Sequence, residues 1–156
     1  MHDRNAQTFL PHSTHRQPSN VLHSTEQAPS GAELVLVRAL PGSGKSTMAR
    51  VLAMVGYEHY EADMFFIRSG VYCYDKNHVR AAHDWCKHQT REALAMGHHV
   101  VVSNTFTRLS EMEDYLAMAR NVRILEANGL WQNEHGVPQE TLAAMARRWE
   151  PTPVLP

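Results

Sequence analysis

Cysteine is scarce in this chain. Among 156 residues only Cys73 and Cys86 carry a thiol, too few for a disulfide scaffold. A reducing, cytoplasmic compartment is the expectation that goes with so few thiols. Long apolar runs are missing too. None approaches the roughly 18 residues that span a bilayer, so no membrane association is expected. The first residues, MHDRNAQTFLPHSTHRQ, hold no continuous apolar stretch followed by a small-residue cleavage site, and no secretory signal is expected there. A dominant charge is also absent, with 15 Lys and Arg against 16 Asp and Glu. That excludes nucleic-acid binding driven by overall charge and leaves room only for a local basic patch. No internal repeat is visible, and nothing in the sequence points to a partner protein.

What is present suits a globular protein. Hydrophobic residues make up 43% of the chain and charged residues 20%, enough to bury the core of one domain. The composition breaks near residue 30. Residues 1–30 are Ser, Thr, His, Gln, Asn and Pro with scattered apolar residues, and such a segment cannot offset its chain entropy by burial. A disordered tail is expected over 1–30 and a folded domain over 31–156. The tail holds His2, His12, His15 and His23. Their irregular spacing and the lack of nearby cysteine favour a flexible tail over a metal-binding one.

From Glu33 the pattern becomes α/β. Leu34-Val35-Leu36-Val37 suits a strand buried on both faces. A helix is expected through Met54, stopped by Gly56. Residues 57–61 read as a second strand, ending near Asp63, with a long loop around Gly70 and Tyr74-Asp75. Residues 77–96 read as a long helix, since Val79, Ala82, His83, Cys86, Thr90, Ala93 and Leu94 recur at helical spacing. Val100-Val101-Val102 is the third strand. Ser110 with Glu113 forms a possible capping box for a helix to Ala119, and residues 122–126 are the fourth strand. Residues 128–136 read as loop, and Pro138 opens a last helix to Trp149. Strands alternating with helices imply a parallel sheet with right-handed crossovers.

Pro41-Gly42-Ser43-Gly44-Lys45-Ser46-Thr47 lies between the first strand and the first helix, the context a phosphate-binding P-loop requires. Its glycines let backbone N–H groups turn inward around phosphates, and the helix N-terminus adds free donors and a favourable dipole. Lys45 would reach the β- and γ-phosphates, and the Ser46 hydroxyl would ligate Mg²⁺. Nucleotide binding follows, with ATP and Mg²⁺ as the expected ligands. The position separated by four residues from the Gly-Lys pair, commonly Gly, is Ala39. Alanine is tolerated there only at negative φ.

P-loops serve motors, switches and kinases alike. Hydrolysing ATPases carry an acid at the end of a hydrophobic strand to hold Mg²⁺, and the matching position here is the neutral Asn104. Asp63 follows the second strand directly, which sets it at the carboxyl edge where α/β proteins bind ligands. It can serve as the base in phosphoryl transfer, or simply as a surface or helix-capping residue.

Taken in order, Leu40 to Thr47, Glu61-Ala62-Asp63, Val102-Ser103-Asn104-Thr105 and Asn133-Glu134-His135-Gly136-Val137-Pro138 resemble the polynucleotide-kinase-like P-loop kinases. These small phosphotransferases are often labelled AAA family ATPases. The resemblance runs from Leu34 to Glu150. It implies a three-layer α/β fold, a parallel sheet in the order 2-3-1-4 flanked by helices on both faces. It also implies that Asp63 is the general base on the acceptor hydroxyl and that Asn104 and Thr105 line the acceptor site. Best-known members phosphorylate a polynucleotide 5′-hydroxyl of DNA or RNA, and other relatives act on small molecules.

This chain departs from the pattern at Met64, where several members have a second acid. It departs again at Phe66, where the polynucleotide kinases place an Arg, and in loop 128–137, which has no Arg. Charge on the transferring phosphoryl must then be met elsewhere, with Arg108, Arg147 and Arg148 as candidates. At this length the extra helical domain of a motor is not expected.

Other clusters read as structural. Cys73, His78, His83 and Cys86 lack the paired spacing of a zinc site. Trp85 is expected between the long helix and the sheet, and Met112, Met118 and Met145 are expected to fill core. Arg80, Lys87 and Arg91 form either a stripe for a nucleic-acid backbone or a solvated helix face, and Trp131 in the loop is a candidate for base stacking. The sequence thus predicts transfer of the ATP γ-phosphoryl to a hydroxyl, with a polynucleotide 5′-end leading. The alternatives are a small-molecule (nucleoside or nucleotide) kinase, or a nucleotide-binding, weakly hydrolysing module without transfer.

Overall fold

The computed structural model describes residues 31–129 and 136–152. The expected tail, Trp131 and Asn133-Glu134-His135 lie outside them. Strand β1 (Glu33–Arg38) leads through the glycine loop into helix α1 (Lys45–Met54). Then follow β2 (Glu58–Tyr60), a 3-10 turn at Ala62–Phe66, β3 (Ile67–Arg68) and β4 (Val71–Tyr72). A second 3-10 turn at Lys76–His78 opens the long helix α2 (Val79–Ala95). The rest is β5 (Val100–Asn104), a 3-10 turn at Leu109–Glu111, α3 (Glu113–Leu116), β6 (Asn121–Glu126) and α4 (Gln139–Arg147).

The main sheet has the order β2-β5-β1-β6 with every pairing parallel. Counting only its four strands, this is the expected order 2-3-1-4. Alternation explains how β1 and β5 bury both faces. Leu34, Leu36, Val100 and Val102 enter one core with Ala82, Cys86, Ala93 and Leu94 of α2 and with Met112, Tyr115 and Met118. Val35, Val37 and Val101 enter a second core on the opposite face with Met48, Ala49 and Leu52 of α1. Strands walled on both sides need near-continuous apolar sequence, which is why they were readable. Trp85 bridges helix and sheet as expected, lying edge-on to Tyr60 with centroids 6.3 Å apart. Among the described residues no helix is long and apolar enough to cross a membrane.

Some expectations need correcting. The loop after Asp63 holds an antiparallel hairpin, pairing Ile67 with Tyr72 and Arg68 with Val71. Its tip is Ser69-Gly70, with φ of 51° and 79°. Left-handed angles at both central residues match the twist of a two-residue hairpin turn. The Ser110–Glu113 capping box does not form. Glu111 instead accepts from the Arg108 backbone N–H at 3.4 Å, and α3 shortens to one turn. Met145 is only half-buried, because α4 has no buried residue at all.

Candidate active site

The glycine loop leaves β1 at its carboxyl end and turns back into α1. Gly42 and Gly44 take φ of 80° and 84°, angles that a side chain would strain. Ala39 has no positive φ and sits in the core, so alanine fits where glycine is common. Gly44 caps α1 without any side-chain hydrogen bond. The first N–H groups of α1 therefore lack a capping side chain and suit an anion. Ser43 N–H donates to Leu40 O at 3.2 Å, and Gly129 N–H donates to Ser43 O at 3.1 Å. The second bond ties the segment after β6 to the loop. Beside it, Thr47, Met48, Val51, Leu52, Leu125, Ala127, Asn128 and the glycine-loop residues Ser43 and Gly44 line an open, mainly apolar cavity of about 360 Å³.

No sequence motif assigns Glu61 a role. It follows β2, is 7% exposed, and gathers the polar groups of three elements. Ser46 Oγ donates to its Oε2 at 3.1 Å, and Ser103 Oγ donates to its Oε1 at 2.7 Å. His59 Nε2 lies 2.8 Å from the same Oε1. Burial pushes the Glu61 carboxyl upward, but the hydrogen bonds from His59, Ser103 and Ser46 outweigh it and hold the carboxyl below its usual range. Because the Ser46 proton is aimed at Glu61, the hydroxyl's lone pairs are turned away from it. A hydroxyl held this way beside an ionised carboxylate is a donor set suited to a hard divalent cation. The signal was in the sequence: Glu61 precedes Asp63 by two residues at a strand's carboxyl end.

Asp63 sits on the 3-10 turn that follows, and Tyr72 O–H donates to its Oδ1 at 3.3 Å. The turn is pinned from beneath: Ala62 N–H donates to Asn104 Oδ1 at 3.0 Å, and Asn104 Nδ2 donates to Cys86 Sγ at 3.7 Å. Asn104 is thus buried and holds the segment bearing Asp63 to β5 and α2. Thr105 is half-buried beside it, and Phe106 takes a φ of 46° with its ring in the core. A positive φ at a large residue is backbone strain at this edge. His83 on α2 lies within electrostatic reach of Asp63, Glu111, Asp84 and Lys87, and burial lowers its pKa.

The arginines divide. Arg108 and Arg147 are exposed, and Arg148 Nε donates to Thr107 Oγ1 at 2.9 Å. Arg38 went unremarked in the sequence and is fully buried at the end of β1. It donates to Phe106 O (2.7 Å), Glu150 O (2.9 Å) and Thr152 Oγ1 (3.0 Å), lies 3.6 Å from Glu126, and stacks 4.0 Å from the Trp149 ring centre. Lys87 pairs with Asp114 at 2.6 Å, which takes it out of a free basic stripe. Phe66, standing where the polynucleotide kinases have Arg, is buried.

The family description "AAA domain" matches residues 34–128, and the chain belongs to that family, with a P-loop kinase-like fold. Human NEDD4-binding protein 2 is 29% identical over 136 residues, which is 77% of this chain and 8% of that protein. The chain therefore spans a small part of that curated relative. A chain in the structure of the Pnkp1/Rnl/Hen1 complex superposes with a TM-score of 0.53 at 17% identity, covering 86% of this chain and 43% of that one. A chain of the Pnkp1/Rnl/Hen1 RNA repair complex gives 0.53 at 17% identity, covering 81% and 39%. At such identity the two structures speak for the fold alone.

Proposed function

We propose that the protein is a phosphotransferase that moves the γ-phosphoryl of ATP, with Mg²⁺, to a hydroxyl acceptor, foremost the 5′-hydroxyl of a polynucleotide. The observation that carries this reading is the Ser46–Glu61 hydrogen bond. It joins the phosphate loop to the segment bearing Asp63, so the donor site and the candidate base are built as one unit. The acceptor follows the sequence resemblance, in keeping with a fold shared with a chain of an RNA repair complex.

In this reading the N–H groups at the start of α1 and the Lys45 ammonium bind the phosphates. The adenine would rest in the apolar cavity by Met48, Leu125 and Ala127. Ser46 and Glu61 are the residues that would hold Mg²⁺, which when bound neutralises charge on the phosphate oxygens. Asp63 takes the proton of the acceptor hydroxyl. The acceptor oxygen bonds to the γ-phosphorus, the bond to the β–γ bridging oxygen breaks, and ADP leaves. Asn104 and Thr105 support the acceptor side. Arg108, Arg147 and Arg148 remain the candidates for the transferring charge.

The test is transfer from γ-labelled ATP to a 5′-hydroxyl oligonucleotide by wild type and Asp63→Asn. Label on the oligonucleotide should fall by about a hundredfold or more in the variant, while ATP binding stays near wild type. Label unchanged by the substitution would remove Asp63 from the chemistry. No label with any hydroxyl acceptor, despite ATP binding, would instead favour a nucleotide-binding module. Asn104, neutral and engaged by Ala62, is the observation that favours that second reading.

A further inference from the structure

The twelve residues after Asp63 are unusually rich in rings: Phe65, Phe66, Tyr72 and Tyr74. Phe66 is buried and acts as their footing. Tyr74 packs on it at 5.2 Å between centroids and 59° between planes, and Tyr72 at 6.2 Å and 79°. The outer parts of both tyrosines reach solvent, Tyr72 at 41% and Tyr74 at 58% exposure. Ile67, paired across the hairpin with Tyr72, is exposed as well. Cys73 N–H donates to Phe66 O at 2.8 Å, which closes the base of the hairpin. Two large rings are therefore held in water on a braced scaffold, where the core does not need their surfaces.

Position gives the rings a meaning. The Tyr72 hydroxyl donates to Asp63 Oδ1, so a phenol stands on the candidate base in the relation an acceptor hydroxyl would adopt. Whatever displaces it brings its own body against Tyr72 and Tyr74. The surrounding charge is selective. Arg68, Lys76 and Arg80 are exposed along 67–80, and the carboxylates beside them are Asp75 and, 4.0 Å from the highly exposed Arg80, Asp84. The Asp75 carboxylate is bound by the Asn77 N–H at 2.9 Å and by His78 Nδ1 at 2.7 Å. Exposed rings flanked by cations match a base with a phosphodiester strand running from it.

We propose that Tyr72 and Tyr74 form the seat for the terminal nucleobase of a single-stranded polynucleotide acceptor, with Arg68, Lys76 and Arg80 along the path of its backbone. This rests on the reading of Asp63 as base and names the acceptor class of the same site. Displacement of the Tyr72 hydroxyl from Asp63 is then the step by which the acceptor hydroxyl gains the base. The Tyr72 phenol is pushed up to about 12 by burial and by Asp63, so it remains a neutral donor at physiological pH. Stacking tolerates any base, so the seat selects a single-stranded end rather than a sequence.

The experiment uses the full chain, ATP and short oligonucleotides bearing 2-aminopurine or an abasic residue at the 5′-end. In wild type, 2-aminopurine fluorescence should quench on binding. Tyr74→Ala should abolish the quench and raise KM for the oligonucleotide about 5- to 150-fold, with kcat and KM for ATP unchanged. Tyr74→Trp should restore both, and the unchanged ATP value reports an intact fold. The abasic end should bind equally weakly to wild type and Tyr74→Ala. Transfer with wild-type KM in Tyr74→Ala and for the abasic end would overturn the seat and leave the kinase reading standing. A quench lost in Tyr74→Ala, with no transfer at all, would keep the seat and overturn the kinase reading. No quench with any oligonucleotide would overturn the seat.

Discussion

Glu61 illustrates how a single side chain sets the character of the site. Its carboxylate is buried, yet it meets a hydroxyl from the phosphate loop, another from β5 and an imidazole from β2. A buried carboxylate is costly unless its oxygens are satisfied, and here both are. Its pKa is lower folded than unfolded, so the unfolded chain binds more protons around the ordinary glutamate value. The ionised form therefore contributes stability above that value, 4.5. The contribution is lost as pH falls through the lower folded value. Glu61→Gln removes it. The variant should be less stable by about 1–3 kcal/mol at pH 7, and its urea midpoint should decline less than that of wild type between pH 6 and about 3. Parallel midpoint curves would mean that Glu61 is not held ionised by its neighbours. The sequence named Ser46 and Asp63 but not the acid between them. Motif spacing marks residues that touch ligand, whereas Glu61 is defined by partners 15 and 42 residues away.

Elements that bury both faces were the readable ones. β1 and β5 show as Leu34-Val35-Leu36-Val37 and Val100-Val101-Val102, and the buried face of α2 shows in Ala82, Cys86, Thr90, Ala93 and Leu94. Strands of two residues carry no such periodicity, so β3 and β4 were invisible, and with them the contact of Tyr72 with Asp63. The caps of α3 were misplaced because Glu111 and Glu113 are equally plausible partners on local spacing alone. Tertiary bonds made the choice, since Glu150 Oε2 accepts the Leu109 N–H at 2.6 Å. Arg38 is the larger omission. An arginine ending a strand reads as solvated, but this one clamps segment 149–152 to the loop after β5. Arg38→Met keeps much of the apolar stem and removes the clamp. Stability should fall by roughly 2–4 kcal/mol, and amides near Glu150 should lose hydrogen-exchange protection before those of β1. Uniform loss across the sheet would show that Arg38 supports the core rather than the C-terminal segment.

For the whole molecule, the parallel order β2-β5-β1-β6 brings the carboxyl ends of its strands to one edge, with the glycine loop, Glu61 and Asp63 all following strands there. The domain thus gathers polar, strained and uncapped groups at the edge where nucleotide and Mg²⁺ are proposed to bind. These include the N–H groups at the start of α1, which no side chain caps, the positive φ at Phe106 and the Ser46–Glu61 pair. A ligand that binds only the folded state must then stabilise it globally. The gain is about 2.7 kcal/mol when ligand exceeds Kd a hundredfold, or roughly 5–15 °C in Tm for a domain of this size. Thermal unfolding with ATP and Mg²⁺ should show that rise. Lys45→Ala should lose most of it if, as proposed, the ammonium binds the β- and γ-phosphates. Asp63→Asn should keep it, since the proposed role of Asp63 is toward the acceptor and not the donor. Chelating Mg²⁺ should reduce the rise in wild type and have little further effect in Ser46→Ala. An equal rise in wild type and Lys45→Ala would place the nucleotide away from the glycine loop. A rise lost in Asp63→Asn would mean that Asp63 belongs to the phosphate site and not to the acceptor.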